Sequence, residues 1–287
     1  MILGGTTIAA NLIADLKPKI AALKERRFFG AALVGEDPAS VNFLRQKEKT
    51  AALLGIDFRL YKLPADITTD ELRAEIGRLA APKTCGGFIV QLPLPEGINR
   101  HYALNAIPKA KDVDMLSEPA LGAFYTGRHP IVPPAVAVVE EVFSAGGGSA
   151  SGGKTKHYDL RAATVAMIGA GFLIGRPVGF WLQNRVAELM VFDISVKNLH
   201  EKLAEADIVI SGTGHPKLFS AKHLKSGALV LDFGYGHGEN GKISGDFDPE
   251  GAEEKNIAYT PTPGGTGPIL VAELFENFWK LNAQTPA

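Results

Sequence analysis

The chain has 287 residues, 46% of them hydrophobic, which is enough to bury a sizeable core and, at roughly one domain per 150 residues, to build two domains. Its 30 Lys and Arg balance 31 Asp and Glu, so no overall field draws in nucleic acid or an anionic membrane, and neither is expected as a partner. The single cysteine, Cys85, has no mate for an internal disulfide, and the opening MILGGTTIAA lacks the basic flank and apolar run of a secretory signal, so a reducing cytoplasm is the expected compartment.

In chain order, an amphipathic stretch over residues 9–26 predicts the first helix. Apolar runs at 29–34, 57–63 and 87–91 predict strands, separated by helices over 40–54 and 69–81. A helix over 135–143 precedes strands at 164–168, 188–192, 207–211 and 228–232, with helices at 174–183, 196–204 and 268–281. Short apolar runs alternating with longer amphipathic stretches predict parallel sheets covered by helices, an α/β protein of two three-layer domains. Residues 144–156, SAGGGSASGGKTK, carry no apolar period and predict a flexible connection, with the domain boundary placed slightly earlier, near residues 132–135.

Three stretches of the first half carry candidate chemistry. Residues 35–56, GEDPASVNFLRQKEKTAALLGI, open with turn residues and an expected N-cap at Ser40. Phe43 and Lys47 then fall four apart on one helix face, so an aromatic plate and an amine face one pocket, unless Phe43 is core and Lys47 solvated surface. In GFIVQLPLP, residues 87–95, an apolar strand is interrupted by Gln91 at its C-terminal end and stopped by prolines, which puts a polar side chain where α/β sheets bind ligands. The run Lys111-Asp112-Val113-Asp114 offers two carboxylates in a polar loop, either for a ligand's amide and amino groups or for turn formation.

In the second half, Gly169-Ala170-Gly171-Phe172-Leu173-Ile174-Gly175 links a buried strand to a helix inside a βαβ unit. There Gly169 permits a sharp turn, Gly171 lets the backbone approach a pyrophosphate, and Gly175 allows close packing of helix on strand. The spacing is one residue longer than the common fingerprint, so a plain βα turn remains the alternative. Asp193, about 20 residues on at the end of the second strand, suits a ribose 2′-hydroxyl and repels a 2′-phosphate; its alternative is a surface cap before Ser195. The seven histidines are scattered, and His215, His223 and His237 lack zinc-site spacing, so no metal is expected. Cys85 is expected to be a small buried residue.

The ordered blocks GEDPAS…FLRQKEKTAALLGI, GFIVQLPLP, KDVD, GAGFLIGRP and TPTPGGTGP resemble the bifunctional methylenetetrahydrofolate dehydrogenase/methenyltetrahydrofolate cyclohydrolase family across nearly the whole chain. The resemblance implies NAD(P)-dependent oxidation of 5,10-methylenetetrahydrofolate to the methenyl form and its hydrolysis to 10-formyltetrahydrofolate, by a homodimeric enzyme with the site in a cleft between its domains. It implies a folate-binding catalytic domain of residues 1–133 plus 262–287 and a Rossmann-type dinucleotide-binding domain of residues 134–261. Lys47 matches the family's catalytic lysine, Gln91 the glutamine that orients it, and Asp114 the carboxylate that anchors the pterin. Phe43, Leu92, Pro93, Pro263, Gly264, Gly265 and Pro268 are implied to line the folate. The loop Gly169–Gly175, with Asp193, Gly212, Thr213, Gly214, Gly234 and Thr266, is implied to hold the cofactor.

Four departures qualify the resemblance. Phe43 stands where the family usually has tyrosine, so a dehydrogenase without the cyclohydrolase, or a non-catalytic folate or dinucleotide binder, stays open beside the bifunctional reading. Met115 replaces a usual glycine, and residues 131–136, IVPPAV, stand for the family's P-C-T-P-x-G. Ala170 and Gly171 replace a usual Arg-Ser, which together with Asp193 favours NAD over NADP.

Overall fold

The computed structural model describes residues 1–145, 159–238 and 241–283; the connection expected over 144–156 lies outside them from residue 146 on. Two compact units form: Asn11–Pro134 with the chain from Val271 onward, and Met1–Ala10 with Ala135–Leu270.

The first unit takes most of helix α1 (Gly5–Ala21), then β1 (Phe28–Val34), α2 (Pro38–Leu54), β2 (Phe58–Leu63), α3 (Thr69–Ala80), β3 (Cys85–Val90) and the short α4 (Arg100–Leu104) and α5 (Glu118–Tyr125). Its sheet has the order β2-β1-β3, all parallel. The central strand β1 is buried along its whole length, which is why FFGAALV shows no polar alternation, whereas no residue of the edge strand β2 is fully buried. Phe29, Ala31 and Leu33 point into a core with Leu44 and Leu54 of α2 and with Leu274, Phe275 and Phe278 near the chain's end. Gly30 has no side chain because Phe88 of β3 fills that space, a Cβ there standing 2.5 Å from the ring.

The second unit opens with helix α6 (Pro134–Ala145), whose first residue belongs to the other unit, and continues through β4 (Thr164–Ile168), α7 (Gly175–Leu182), β5 (Glu188–Phe192), α8 (Leu199–Leu203) and β6 (Ile208–Ser211). There follow β7 (Phe219–Ser220), β8 (Leu229–Asp232), the hairpin β9 (Gly236–His237) and β10 (Ile243–Ser244), β11 (Phe247–Asp248), β12 (Ala258–Tyr259) and the first turn of α9 (Thr266–Ala283). The sheet runs β12-β8-β6-β4-β5, all parallel. Counting its strands along the chain, that is the doubly wound order 2-1-3-4-5, with the switch point between β4 and β6, where such sheets bind ligands beyond the strands' carboxyl ends.

Two stretches expected in the first domain belong instead to the second unit: residues 1–10 and 262–270. The cause is backbone pairing. Leu3 donates to the Tyr259 carbonyl at 2.8 Å and Tyr259 to Met1 at 3.0 Å, so the N-terminus extends the sheet edge beside β12. Gly5 packs so closely on Gly265 that a Cβ would overlap its carbonyl.

Candidate active site

Helix α2 starts earlier than expected. Asp37, not Ser40, is its N-cap: the carboxylate accepts the Ser40 amide at 2.8 Å, and Pro38 takes the first helical position, where its missing N–H costs nothing. Gly55 closes the helix in the left-handed conformation. Further along the helix, Phe43 and Lys47 are both half-buried.

The Lys47 amine donates to Gln91 Oε1 at 2.8 Å, and Gln91 Nε2 donates to the Leu92 carbonyl at 2.7 Å. Gln91 follows β3 directly and is 8% exposed, so both ends of its amide are fixed and the amine is aimed by a rigid partner. Ser40 Oγ donates to the same Leu92 carbonyl at 3.4 Å, tying the start of α2 to the strand end, and the Leu92–Pro93 peptide is cis. Burial lowers the Lys47 pKa and raises that of Asp114, while the opposite charge of each acts against that displacement in the other.

The KDVD run divides its labour. Lys111 Nζ donates to the carbonyls of Ala80, Ala81 and Pro82, holding the end of α3, which has no glycine cap. Asp112, fully buried, accepts the amides of Leu116 and Ser117 at 3.2 and 2.8 Å, and burial pushes its pKa up to about 6. With those two committed to the backbone, Asp114 is the carboxylate left to act on Lys47. Asn277 was not anticipated from the sequence: its Nδ2 donates to Val113 at 3.0 Å and Val132 at 2.8 Å, bracing the Asp114 loop against the IVPPAV segment. A buried Asn in an otherwise apolar stretch of helix is the signal that could have pointed to it. Met115 stands in left-handed backbone, φ 58°, with its side chain fully buried, the conformation that glycine adopts freely.

The loop after β4 is shaped by missing side chains. A Cβ on Gly175 would overlap the Gly169 carbonyl, and one on Gly169, at φ 90°, would lie 3.1 Å from Thr213 Cγ2. A Cβ on Gly171, by contrast, would meet nothing within 4 Å, so the backbone there is open to a ligand. Ala170 and Leu173 are exposed, Phe172 and Ile174 half-buried, and no side chain caps the first turn of α7. An open glycine beside an uncapped helix start fits a pyrophosphate. Gly212, Thr213 and Gly214 follow β6 at the switch point, and Gly234 follows β8. Asp193 comes directly after β5, beside the Gly169 amide that bonds Phe192, and is exposed; its carboxylate accepts the Ser195 amide at 3.0 Å, which holds its pKa low. That bond is the turn cap named as the alternative.

Pro263, Gly264, Gly265 and Pro268, expected to line the folate, and Thr266, expected to hold the cofactor, lie in the second unit, which runs up to Leu270. Thr266 Oγ1 donates to the Asp232 carbonyl at 2.8 Å, Gly264 has φ 94°, and the Thr262–Pro263 peptide is cis.

Residues 3–114 match the family model of the tetrahydrofolate dehydrogenase/cyclohydrolase catalytic domain, and residues 153–285 that of the NAD(P)-binding domain. The Bifunctional protein FolD of Heliobacterium modesticaldum is 36% identical over 276 residues, 95% of this chain and 93% of the relative. The chain belongs to the tetrahydrofolate dehydrogenase/cyclohydrolase family. Within that family, the crystal structure of the Campylobacter jejuni FolD methylenetetrahydrofolate dehydrogenase/cyclohydrolase superposes with a TM-score of 0.89 at 32% identity, covering 99% of this chain and 98% of the other. The Trypanosoma brucei FolD enzyme, solved with NADP and an inhibitor, gives 0.88 at 26% identity over 99% and 97%. The family's dinucleotide-binding model extends through residue 285, whereas the fold hands the chain from Val271 onward to the first unit.

Proposed function

We propose that the protein oxidises 5,10-methylenetetrahydrofolate with a nicotinamide dinucleotide and hydrolyses the methenyl product to 10-formyltetrahydrofolate. The observation that carries this is the Lys47 amine, held 2.8 Å from a buried Gln91 and under the charge of Asp114. Relatives named as bifunctional FolD proteins support both steps. A bound nicotinamide supplies the hydride acceptor for the carbon bridging N5 and N10. Phe43 offers a flat face to the pterin, Asp114 accepts from its amide and amino groups, and Leu92 and Pro93 line the same wall. As water adds to the methenyl carbon, Lys47 takes a proton from it; the bond to N5 then breaks, N5 is protonated, and one proton leaves to solvent. Because burial lowers the lysine pKa, the neutral amine this needs forms at lower pH than for an ordinary lysine. The hydrolysis rate should therefore rise with pH and level off below the usual lysine range.

On the cofactor side, Gly169–Gly175, Gly212–Gly214, Gly234 and Thr266 hold the dinucleotide through backbone approach. Asp193 and the absence of a cation at Ala170 favour NAD over NADP, although Arg176, whose Nε donates to the Ala170 carbonyl at 3.2 Å, stands beside the loop. A cytoplasmic homodimer is the proposed state. The test is reduction of each dinucleotide by methylenetetrahydrofolate. No reduction of either refutes the function; accumulation of the methenyl compound without enzyme-dependent hydrolysis refutes the second step and points to Phe43. Asp193→Ser should narrow the NAD preference by about tenfold, the weight of roughly 1.4 kcal/mol.

A further inference from the structure

Beneath the expected dinucleotide turns lies a pair of aspartates that no step above uses. Asp232 ends β8 and is 2% exposed; Asp246, just before β11, is fully buried. Asp246 Oδ2 accepts from Ser211 Oγ at 2.5 Å and from the Thr213 amide at 2.8 Å. Its Oδ1 has no hydrogen-bond partner among the described residues and lies so close to Gly234 that a Cβ there would overlap it. Asp232 Oδ1 accepts the amides of Gly234 at 2.7 Å and of Asp246 itself at 3.2 Å, and Oδ2 accepts that of Phe247 at 3.0 Å. Gly236 in turn packs on the Gly214 carbonyl, a Cβ there standing 2.8 Å away. The pair thus tethers Thr213 and Gly234 directly, between Gly212 and Gly214 on one turn and Gly236 on the other.

The electrostatics of this arrangement are unusual. Among the described residues, neither carboxylate forms an ion pair. The other titratable groups on the surrounding segments are His215, which bonds the Thr213 carbonyl, His237, which bonds the Gly241 carbonyl, Tyr235, and Asp248, paired with Lys217 at 3.2 Å. Two buried carboxylates, one of them accepting the other's backbone amide, with no cation among the described residues, are more stable with one proton between them than with both ionised.

We propose that Asp232 and Asp246 are positioning residues of the dinucleotide site, a carboxyl pair sharing one proton that holds the 212–214 and 233–236 turns in their binding geometry. The inference rests on the proposed dinucleotide site. Burial and the neighbouring Asp246 charge push Asp232 up to about 7, so the shared proton leaves near neutral pH. Loss of the proton leaves two buried negative charges facing each other under the turns, and the turns open.

The decisive measurements use the intact protein without folate. Infrared spectroscopy of the wild type should show a protonated buried carboxyl band that fades as pH rises from about 6 to 8, and thermal stability should fall from about pH 4 to about pH 7 and level off above, because the folded state keeps a proton there that the unfolded chain has already lost. Dinucleotide affinity, measured by calorimetry with NAD and NADP, should drop by about tenfold between those pH values, the weight of one pKa unit. In Asp246→Asn, a neutral mimic of the protonated pair, band and slopes should flatten together, and Asp232→Asn should do the same if Asp246→Asn does not fold. An unchanged pH dependence in the Asn variants, or no carboxyl band in the wild type, overturns the proposal. Failure of either dinucleotide to bind at any pH refutes the dinucleotide site instead, and the infrared and melting curves still decide whether the pair shares a proton.

Discussion

The two candidate sites are built on opposite principles. Around Lys47 the chemistry comes from side chains: an amine, an amide and a carboxylate drawn from α2, from the end of β3 and from the loop at Asp114, tuned by burial and by one another. Around Gly169 it comes from missing side chains, where the backbone folds on itself and leaves Gly171 open. Catalytic groups must project and be held, whereas a phosphate is gripped by amides that any Cβ would obstruct. Deletion should therefore damage the first site and addition the second.

The largest effect is expected from Lys47→Met. With the amine gone, enzyme-dependent hydrolysis of methenyltetrahydrofolate should fall by about 100-fold or more, the usual weight of a positioned acid–base group, while dinucleotide binding is unchanged. Retention of the hydrolysis rate would remove Lys47 from the chemistry and with it the contrast between the sites. Gly175→Ala is the reciprocal change. The added methyl overlaps the Gly169 carbonyl, and overpacking of this kind costs about 1–3 kcal/mol, so dinucleotide affinity should drop by roughly tenfold or more, with folate binding retained. Calorimetric titration with each ligand separates the two outcomes.

Met115→Gly sharpens the comparison with a smaller effect, because there a side chain sits in backbone that suits glycine. Relief of the left-handed conformation is worth about 1 kcal/mol, and loss of a fully buried methionine costs about 2–5 kcal/mol, so the variant should be less stable by about 1–4 kcal/mol in denaturant unfolding. A stabilised variant would mean that the side chain contributes little to the core.

Much of this was legible before any coordinates. The apolar runs at 164–168 and 188–192 coincide with β4 and β5; β4 is buried over most of its length and so reads as a continuous hydrophobic run, while the edge strand β5 keeps an apolar run although only Phe192 of it is buried. The two-residue strands β7 and β9 to β12 carry no such pattern, being too short for any period to register. The N-cap was misplaced because both Asp37 and Ser40 suit the role, and Pro38 decides for Asp37. Nothing local distinguishes Asp112 from Asp114; only folding buries the first among backbone amides and leaves the second to Lys47.

By itself the sequence determined the fold class and the family, written in periodicity and in ordered motifs, and it singled out the glycine loop, Lys47, Gln91 and Asp114 as candidates whose roles the family resemblance implies. Tertiary structure alone decided that the N-terminus and the 262–270 segment join the second unit, that Asn277 braces the Asp114 loop, and that Asp232 and Asp246 meet. Those outcomes depend on hydrogen bonds and burial between residues far apart in the chain, where no local pattern records the partner.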